Sequence, residues 1–408
     1  MAKVVVIGAG PAGMMASITA SKEHDVILLD GNEKVGKKLF ITGKGRCNVT
    51  NNKDISEFFD YIPGNPFFLY SSLYTFTNID TMNFFEENGI KLKVERGGRV
   101  FPESDKSSDI IKGLEKALHK NGVDIRLKSK VKKVNHRDNK IISVVDSNNN
   151  IIKGDYFILC TGGKSYPLTG STGDGLTFAK KLGHNIVEPK PSLVPVEIKE
   201  DWVKRLQGLS LKNVKLSVYE NNKKVYDDIG EMIFTHFGIS GPLVLSASRH
   251  IHDVNQNSYY CELNLKPALD EKELDIRVQK DFKKYINKDF VNSLDDLLPR
   301  NMIPEIILLS GVDSHKKVHE ITKAERRNLV SVLQHLKMSV EKLRPIEQAI
   351  VTAGGVDTNE IDPSTMQSKI INNLYFAGEV IDVDAFTGGY NVQIAFSTGF
   401  IAGSKVGK

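Results

Sequence analysis

The sequence predicts an α/β protein whose parallel-sheet domain is built from both chain ends, residues 1–190 and 346–408, around an inserted β-rich block (191–268) and an inserted helical block (269–345). Three observations lead there. The stretch from Lys3 to Asp30 reads as strand, glycine turn, helix and strand. Apolar runs closing on glycine recur at 156–163, 349–356 and 373–382. Between them the pattern turns first to apolar–polar alternation and then to helical spacing.

The opening run, Val4 to Ile7, is β-branched and continuous, as in a strand covered on both faces. Gly8, Gly10 and Gly13 follow at G-x-G-x-x-G spacing, with Pro11 and Ala12 between the last two. Gly8 permits a tight turn, Gly10 admits a pyrophosphate against the backbone, and Gly13 lets the helix lie close to the strand. The helix N-terminus adds unpaired N–H groups and partial positive charge. A second strand, Val26 to Leu29, ends in Asp30, an acceptor for a ribose hydroxyl, followed by Gly31. The context of strand, turn, helix, strand and acid points to dinucleotide binding, against the plainer reading of a glycine-rich turn.

At 408 residues the chain can bury a full core, and 40% hydrophobic with 26% charged residues is ordinary globular composition, which excludes a disordered chain. The net charge of +5 is too small to indicate nucleic acid on its own. Cys47, Cys160 and Cys261 stand far apart, which argues against a disulfide framework or a zinc site. A nucleotide loop interrupts the N-terminal apolar run, so it is not read as a signal peptide, and no stretch reaches the length of a membrane span. The expectation is a cytoplasmic protein with no membrane partner and no metal.

Residues 31–52 form a basic, glycine-rich loop with Lys38, Gly43, Gly45, Arg46, Cys47 and Asn48, placed to complete a phosphate cradle. Cys47 beside Arg46 is a candidate thiolate or proton donor; the alternative is a packed small residue. The aromatic residues of 56–90 at helical spacing read as core. Ser107 or Ser108 is expected to cap a helix running to Lys120, followed by a strand over 123–127. Three short strands from Val131 alternate around an Asn148-Asn149-Asn150 turn. The segment GEMIFTHFGISGP, 230–242, carries His236 within the β-rich block, either as a proton donor or as a buried structural histidine. His315 and His319 share helical spacing but lack a third ligand. Residues 314–344 carry eight Lys/Arg against three Glu, a basic face for a phosphate backbone or simply a solvated surface.

In the last part, NLYFAGEVID ends a strand in Gly378-Glu379, and an apolar helix follows Gly388-Gly389. Together with LCTGG (Thr161, Gly162, Gly163), these resemble the motifs of a two-dinucleotide-fold flavoprotein. More narrowly, GKKLFITGKGRCNVTN, TGGKSYPLTGSTGDG, GEMIFTHFGISGP and LYFAGEVIDVDAFTGGYNVQIA resemble the BaiN-like (YhiN-like) bacterial flavoproteins. The resemblance implies a Rossmann-like, glutathione-reductase-type FAD domain with two inserted blocks. Its cofactor contacts map onto the first unit through Gly31, onto Lys38, Gly45, Arg46, Cys47 and Asn48, and onto Val131. They continue at Thr161, Gly162 and Gly163, then Gly378 and Glu379, and finally Gly389, Asn391 and Val392. Asp30 stands where Glu is commoner in the family, and Lys44 where Gly is commoner.

What the resemblance implies for activity is FAD-dependent redox chemistry. The first expectation is NAD(P)H-driven reduction of an activated C=C bond, by hydride transfer from flavin N5 followed by protonation. The substrate is either a small molecule or uridine in ribosomal RNA. An amine oxidase acting on aminoacetone, and a non-catalytic flavin-bound RNA- or protein-binding factor, are the alternatives. No second G-x-G-x-x-G follows a strand, so NADH or NADPH would visit the flavin face directly. The candidate proton donors are His236, Cys47, Tyr166 and Tyr390.

Overall fold

The structure is a computed structural model that describes residues 1–408. It divides into two compact units, Met1–Ser192 with Ile346–Lys408, and Leu193–Pro345.

The first unit is organised on a five-stranded sheet in the order Leu374–Phe376, Tyr156–Leu159, β1 (Lys3–Ile7), β2 (Asp25–Leu29), Asp124–Arg126. Every pairing in it is parallel, with Val4–Ile7 facing Tyr156–Leu159 on one side and Val26–Leu29 on the other. Residues 4–7 are buried, as a central parallel strand requires. Helix α1 (Pro11–Ala20) and the C-terminal helix Tyr390–Lys405 pack on each other. A Cβ on Gly399 or Gly403 would strike the carbonyl oxygen of Ala12 or Ala16, so these two glycines set the close approach. The expected meander is present as Val131–Arg137, Lys140–Asp146 and Ile151–Lys153. The Asp146 carboxylate closes its turn by accepting from the N–H groups of Asn148 and Asn150.

Several local expectations are corrected. The helix Ser107–Lys120 has Lys106 at its N-cap, because the Ser107 hydroxyl donates to the Phe40 carbonyl instead of capping. Val351–Val356 leaves the parallel sheet and pairs antiparallel with Ile186–Ser192. The aromatic stretch divides: Phe58 and Phe85 are buried, whereas Phe67, Tyr70 and Tyr74 are exposed.

The second unit contains a closed barrel in the order Val196–Ile198, Gly238–Ser240, Lys223–Thr235, Ser210–Glu220, Tyr259–Asn264, Leu336–Leu343. The last strand lies inside the stretch expected to be helical. The helices Glu271–Lys284, Ile303–Ser310 and Lys323–Gln334 share one hydrophobic core with the barrel. The β-rich and helical blocks are therefore one body, because Leu336, Met338 and Val340 bury their side chains in the same core as barrel residues such as Leu216, Val218 and Cys261.

Candidate cofactor site

At the C-terminal end of β1 the chain turns at Gly8 with φ of 106°, a left-handed conformation that favours glycine. The Gly8 N–H donates to the Leu29 carbonyl at 2.8 Å, tying the turn to β2. A Cβ on Gly13 would overlap the Gly8 carbonyl oxygen, whereas one on Gly10 would meet no protein atom within 4 Å. Gly10 caps α1 from an extended conformation, and no side chain caps the helix. The first turn of α1 thus presents its N–H groups beside open space at Gly10, as a pyrophosphate needs.

Asp30 follows β2, and its carboxylate is held in place. The Ala9 N–H donates to Oδ2 at 2.7 Å, and Asn32 donates to Oδ1 from its backbone and its amide at 2.7 and 2.9 Å. Asn32 also donates to the Thr169 carbonyl, drawing a third segment toward the acid. The N–H of Ser129 bonds the Asp30 carbonyl and that of Lys128 the Asn32 carbonyl. These bonds set the segment leading to Val131 beside Asp30 and Gly31.

The far half is built around Glu379. Lys38 Nζ donates to Oε2, while the Ser165 hydroxyl and the Thr352 N–H donate to Oε1 at 2.9 and 2.8 Å. Lys38 also reaches the Ser165 hydroxyl at 2.7 Å. Gly163 lies against this cluster, where a Cβ would strike Thr352. Further along, Gly389 caps the helix Tyr390–Lys405 without a side-chain cap, and its close approach to the Thr50 backbone leaves no room for a Cβ. Asn391 turns back to the loop, accepting from the Ala385 N–H and donating to the Ala385 carbonyl, while Val392 is half-buried.

The chemistry of these donors and acceptors fits FAD. Gly10 leaves the pyrophosphate its space, Asp30 offers fixed carboxylate lone pairs to a ribose, and Glu379 offers a carboxylate for the ribityl chain. The Thr161 Oγ1 is buried without a partner in the protein and lies against Gly175, where a Cβ would strike it. Ser165, Thr352 and Asn32 escape sequence reasoning, since their roles depend on partners distant in the chain. The one local signal for Thr352 is a polar residue inside the apolar run AIVTAGGV.

The other expected residues have the following surroundings in the protein. The Cys47 thiol is fully buried, and burial pushes its pKa up to about 12, the opposite of activation. Its neighbour Arg46 turns away, donating to Glu95 and Asp105 at 2.8 and 3.0 Å and lying 4.0 Å over the Phe101 ring. The Asn48 side chain accepts from the Val100 N–H, a structural role. Gly45, by contrast, keeps open space about it. Tyr390 is packed between Phe58 and Tyr61, at 4.9 and 4.6 Å between ring centroids, and burial holds its phenol protonated, so it belongs to the core. Tyr166 is half-buried next to Ser165, and burial raises its phenol pKa. His236 is exposed in the turn between barrel strands, edge-on to Phe237, and is not a buried structural residue. The basic stretch is largely neutralised: Lys316 pairs with Glu325, Lys317 with Asp289, Arg326 with Asp275, and Lys342 and Arg344 with Glu197.

A parallel Rossmann-type sheet with its glycine turn and fixed acid, together with the family it belongs to and its reductase relatives, defines the class: an FAD-dependent oxidoreductase. The chain belongs to the HI0933-like family, whose Rossmann-domain description matches residues 2–405. It is 30% identical over 413 residues to the 3-dehydro-bile acid delta(4,6)-reductase of Clostridium scindens, covering 99% of this chain and 98% of that protein. It is 31% identical over 410 residues to the ribosomal RNA dihydrouridine synthase of Haemophilus influenzae, again covering 99% and 98%. In fold it is similar to the 3-ketosteroid delta1-dehydrogenase of Sterolibacterium denitrificans, with 13% identity, a TM-score of 0.52 and 99% of each chain covered.

Proposed function

We propose that this protein reduces a C=C bond conjugated to a carbonyl, with NADH or NADPH as the electron source. One observation carries this reading. Relatives matched over nearly their whole length are named for reducing a dehydro-bile acid and for making dihydrouridine, and each product is formed by saturating such a bond. FAD, when bound, supplies the hydride.

The chain's own residues would do the rest. The α1 N-terminus and Gly10 bind the pyrophosphate, Asp30 the ribose, and Glu379 the ribityl side. The free N–H groups at the start of Tyr390–Lys405 favour the negative charge that gathers when a flavin is reduced. We assign the proton to Tyr166 Oη. Tyr166 is half-buried and directly follows Ser165, whose hydroxyl bonds Glu379. The hydride reaches one alkene carbon and this proton the other, so the product gains two hydrogens and the nicotinamide is left oxidised.

The test is anaerobic. Reduce the purified protein with NADPH or NADH, then add a 3-oxo-Δ4 steroid or uridine-containing ribosomal RNA. Return of flavin absorbance with a product two hydrogens heavier is expected from one of them, which also identifies the substrate class. Reoxidation by neither, combined with peroxide release from aminoacetone in air, would replace the reductase reading with the oxidase one.

A further inference from the structure

Thr352 is fully buried within Val351–Val356, a strand with every residue buried, and yet it is polar. Its hydrogen bonds point away from the strand ladder. Across the ladder it faces Pro191, which has no N–H, and its own N–H donates to Glu379 Oε1 at 2.8 Å. Its Oγ1 accepts from the N–H groups of Lys164 and Ser165 at 2.8 and 3.1 Å and lies 3.3 Å from the Ser165 hydroxyl. That hydroxyl in turn donates to the same Glu379 oxygen at 2.9 Å.

We infer that Thr352 is a positioning residue for FAD. One residue clamps two separate pieces of the site, the loop after Gly162-Gly163 and the Glu379 carboxylate, and holds them at one spacing. Glu379 Oε1 receives two donors set by Thr352, one directly and one through Ser165. Oε2 receives Lys38. The orientation of the carboxylate, and with it the remaining Oε2 lone pair left for a ribityl hydroxyl, is thereby set before the cofactor arrives, which lowers the ordering cost of binding. The inference rests on FAD binding alone and not on the substrate assigned above.

The test compares Thr352→Val, which keeps shape and the backbone N–H but removes the hydroxyl, with Thr352→Ser, which restores it. Readouts are the flavin-to-protein absorbance ratio of the purified holoprotein, the FAD dissociation constant after deflavination, and the melting temperature without FAD. Thr352→Val leaves two N–H groups without an acceptor at the edge of the site, so FAD affinity is expected to fall about tenfold or more. Thr352→Ser is expected to stay within about twofold. If Thr352→Val melts lower but binds FAD as tightly as the unmodified protein, the residue only stabilises the fold and the inference is overturned. Should Thr352→Val fail to fold, Ser165→Ala carries the same test, because it removes the second donor to Oε1. Weakened FAD binding there supports the clamp; unchanged binding overturns it.

Discussion

Lys38 and Glu379, 341 residues apart in sequence, form an ion pair in which each side chain is 20% exposed. The pair joins the basic loop after β2 to the end of the C-terminal strand, one residue from each end of the chain. It also explains why the N-terminal glycine turn and the C-terminal strand must fold together, since the far half of the site is incomplete without the basic loop. Partial burial makes each partner dependent on the other, because an unpaired charge in such a place loses much of its solvation.

Glu379→Ala is therefore expected to purify without bound flavin. Lys38→Met leaves the carboxylate with its two Oε1 donors but without its cation, a loss of about 1–3 kcal/mol, and is expected to purify with less than one FAD per chain. The flavin-to-protein absorbance ratio checks both. Full occupancy in Glu379→Ala would remove this residue from the site.

Gly10 and Gly13 separate space for a ligand from space for the fold. Gly10→Ala meets no protein atom and has φ of −77°, so the apoprotein is expected to melt within about 2 °C of the unmodified one while FAD affinity falls at least about tenfold. Gly13→Ala collides with the Gly8 carbonyl and is expected to cost the fold about 2 kcal/mol or more. Melting curves with and without FAD distinguish the two. Equal FAD binding by Gly10→Ala would place the pyrophosphate elsewhere.

The three cysteines are free and buried. Burial raises the pKa of each, so no thiolate is presented at neutral pH. A thiol reagent should find no reactive group in the native protein and all three after unfolding in guanidinium. Rapid labelling of Cys47 in the native state would restore it as a catalytic candidate.

His184 is buried, bonded through Nε2 to the hydroxyl of Ser368 at 2.8 Å and set edge-on to Phe376 at 5.0 Å between ring centroids. Burial depresses its imidazole pKa below the ordinary value of 6.5. A histidine whose folded pKa is lowered binds its proton more readily when unfolded. Its contribution to stability is therefore fully present above about pH 6.5 and declines as pH falls toward the folded value. The melting temperature should drop between about pH 7 and pH 5, and His184→Gln should flatten that slope. An unchanged slope in the variant would assign the pH dependence to other groups.

Much of this is legible in the sequence where the signals are local. The strand, turn, helix and acid of Lys3–Asp30 lie within one short stretch, and Gly378-Glu379 ends a recognisable strand. Partners set by the fold are not legible. Arg46 reads as a phosphate ligand until Glu95 and Asp105 arrive from 49 and 59 residues away. Cys47 reads as activated by that arginine until burial of the thiol and the turn of the guanidinium toward Glu95 are seen. The strand Leu336–Leu343 does carry a period-two pattern, with Leu336, Met338 and Val340 inward, but its charged outward residues and the preceding helix conceal it.

The most direct measurement is an anaerobic titration of the purified protein with NADPH and NADH, followed by visible absorbance, with the conjugated substrate added afterwards. Expected are a yellow protein, loss of flavin absorbance on adding one nicotinamide, and its return on adding the substrate. A colourless protein that binds no added FAD would contradict the account.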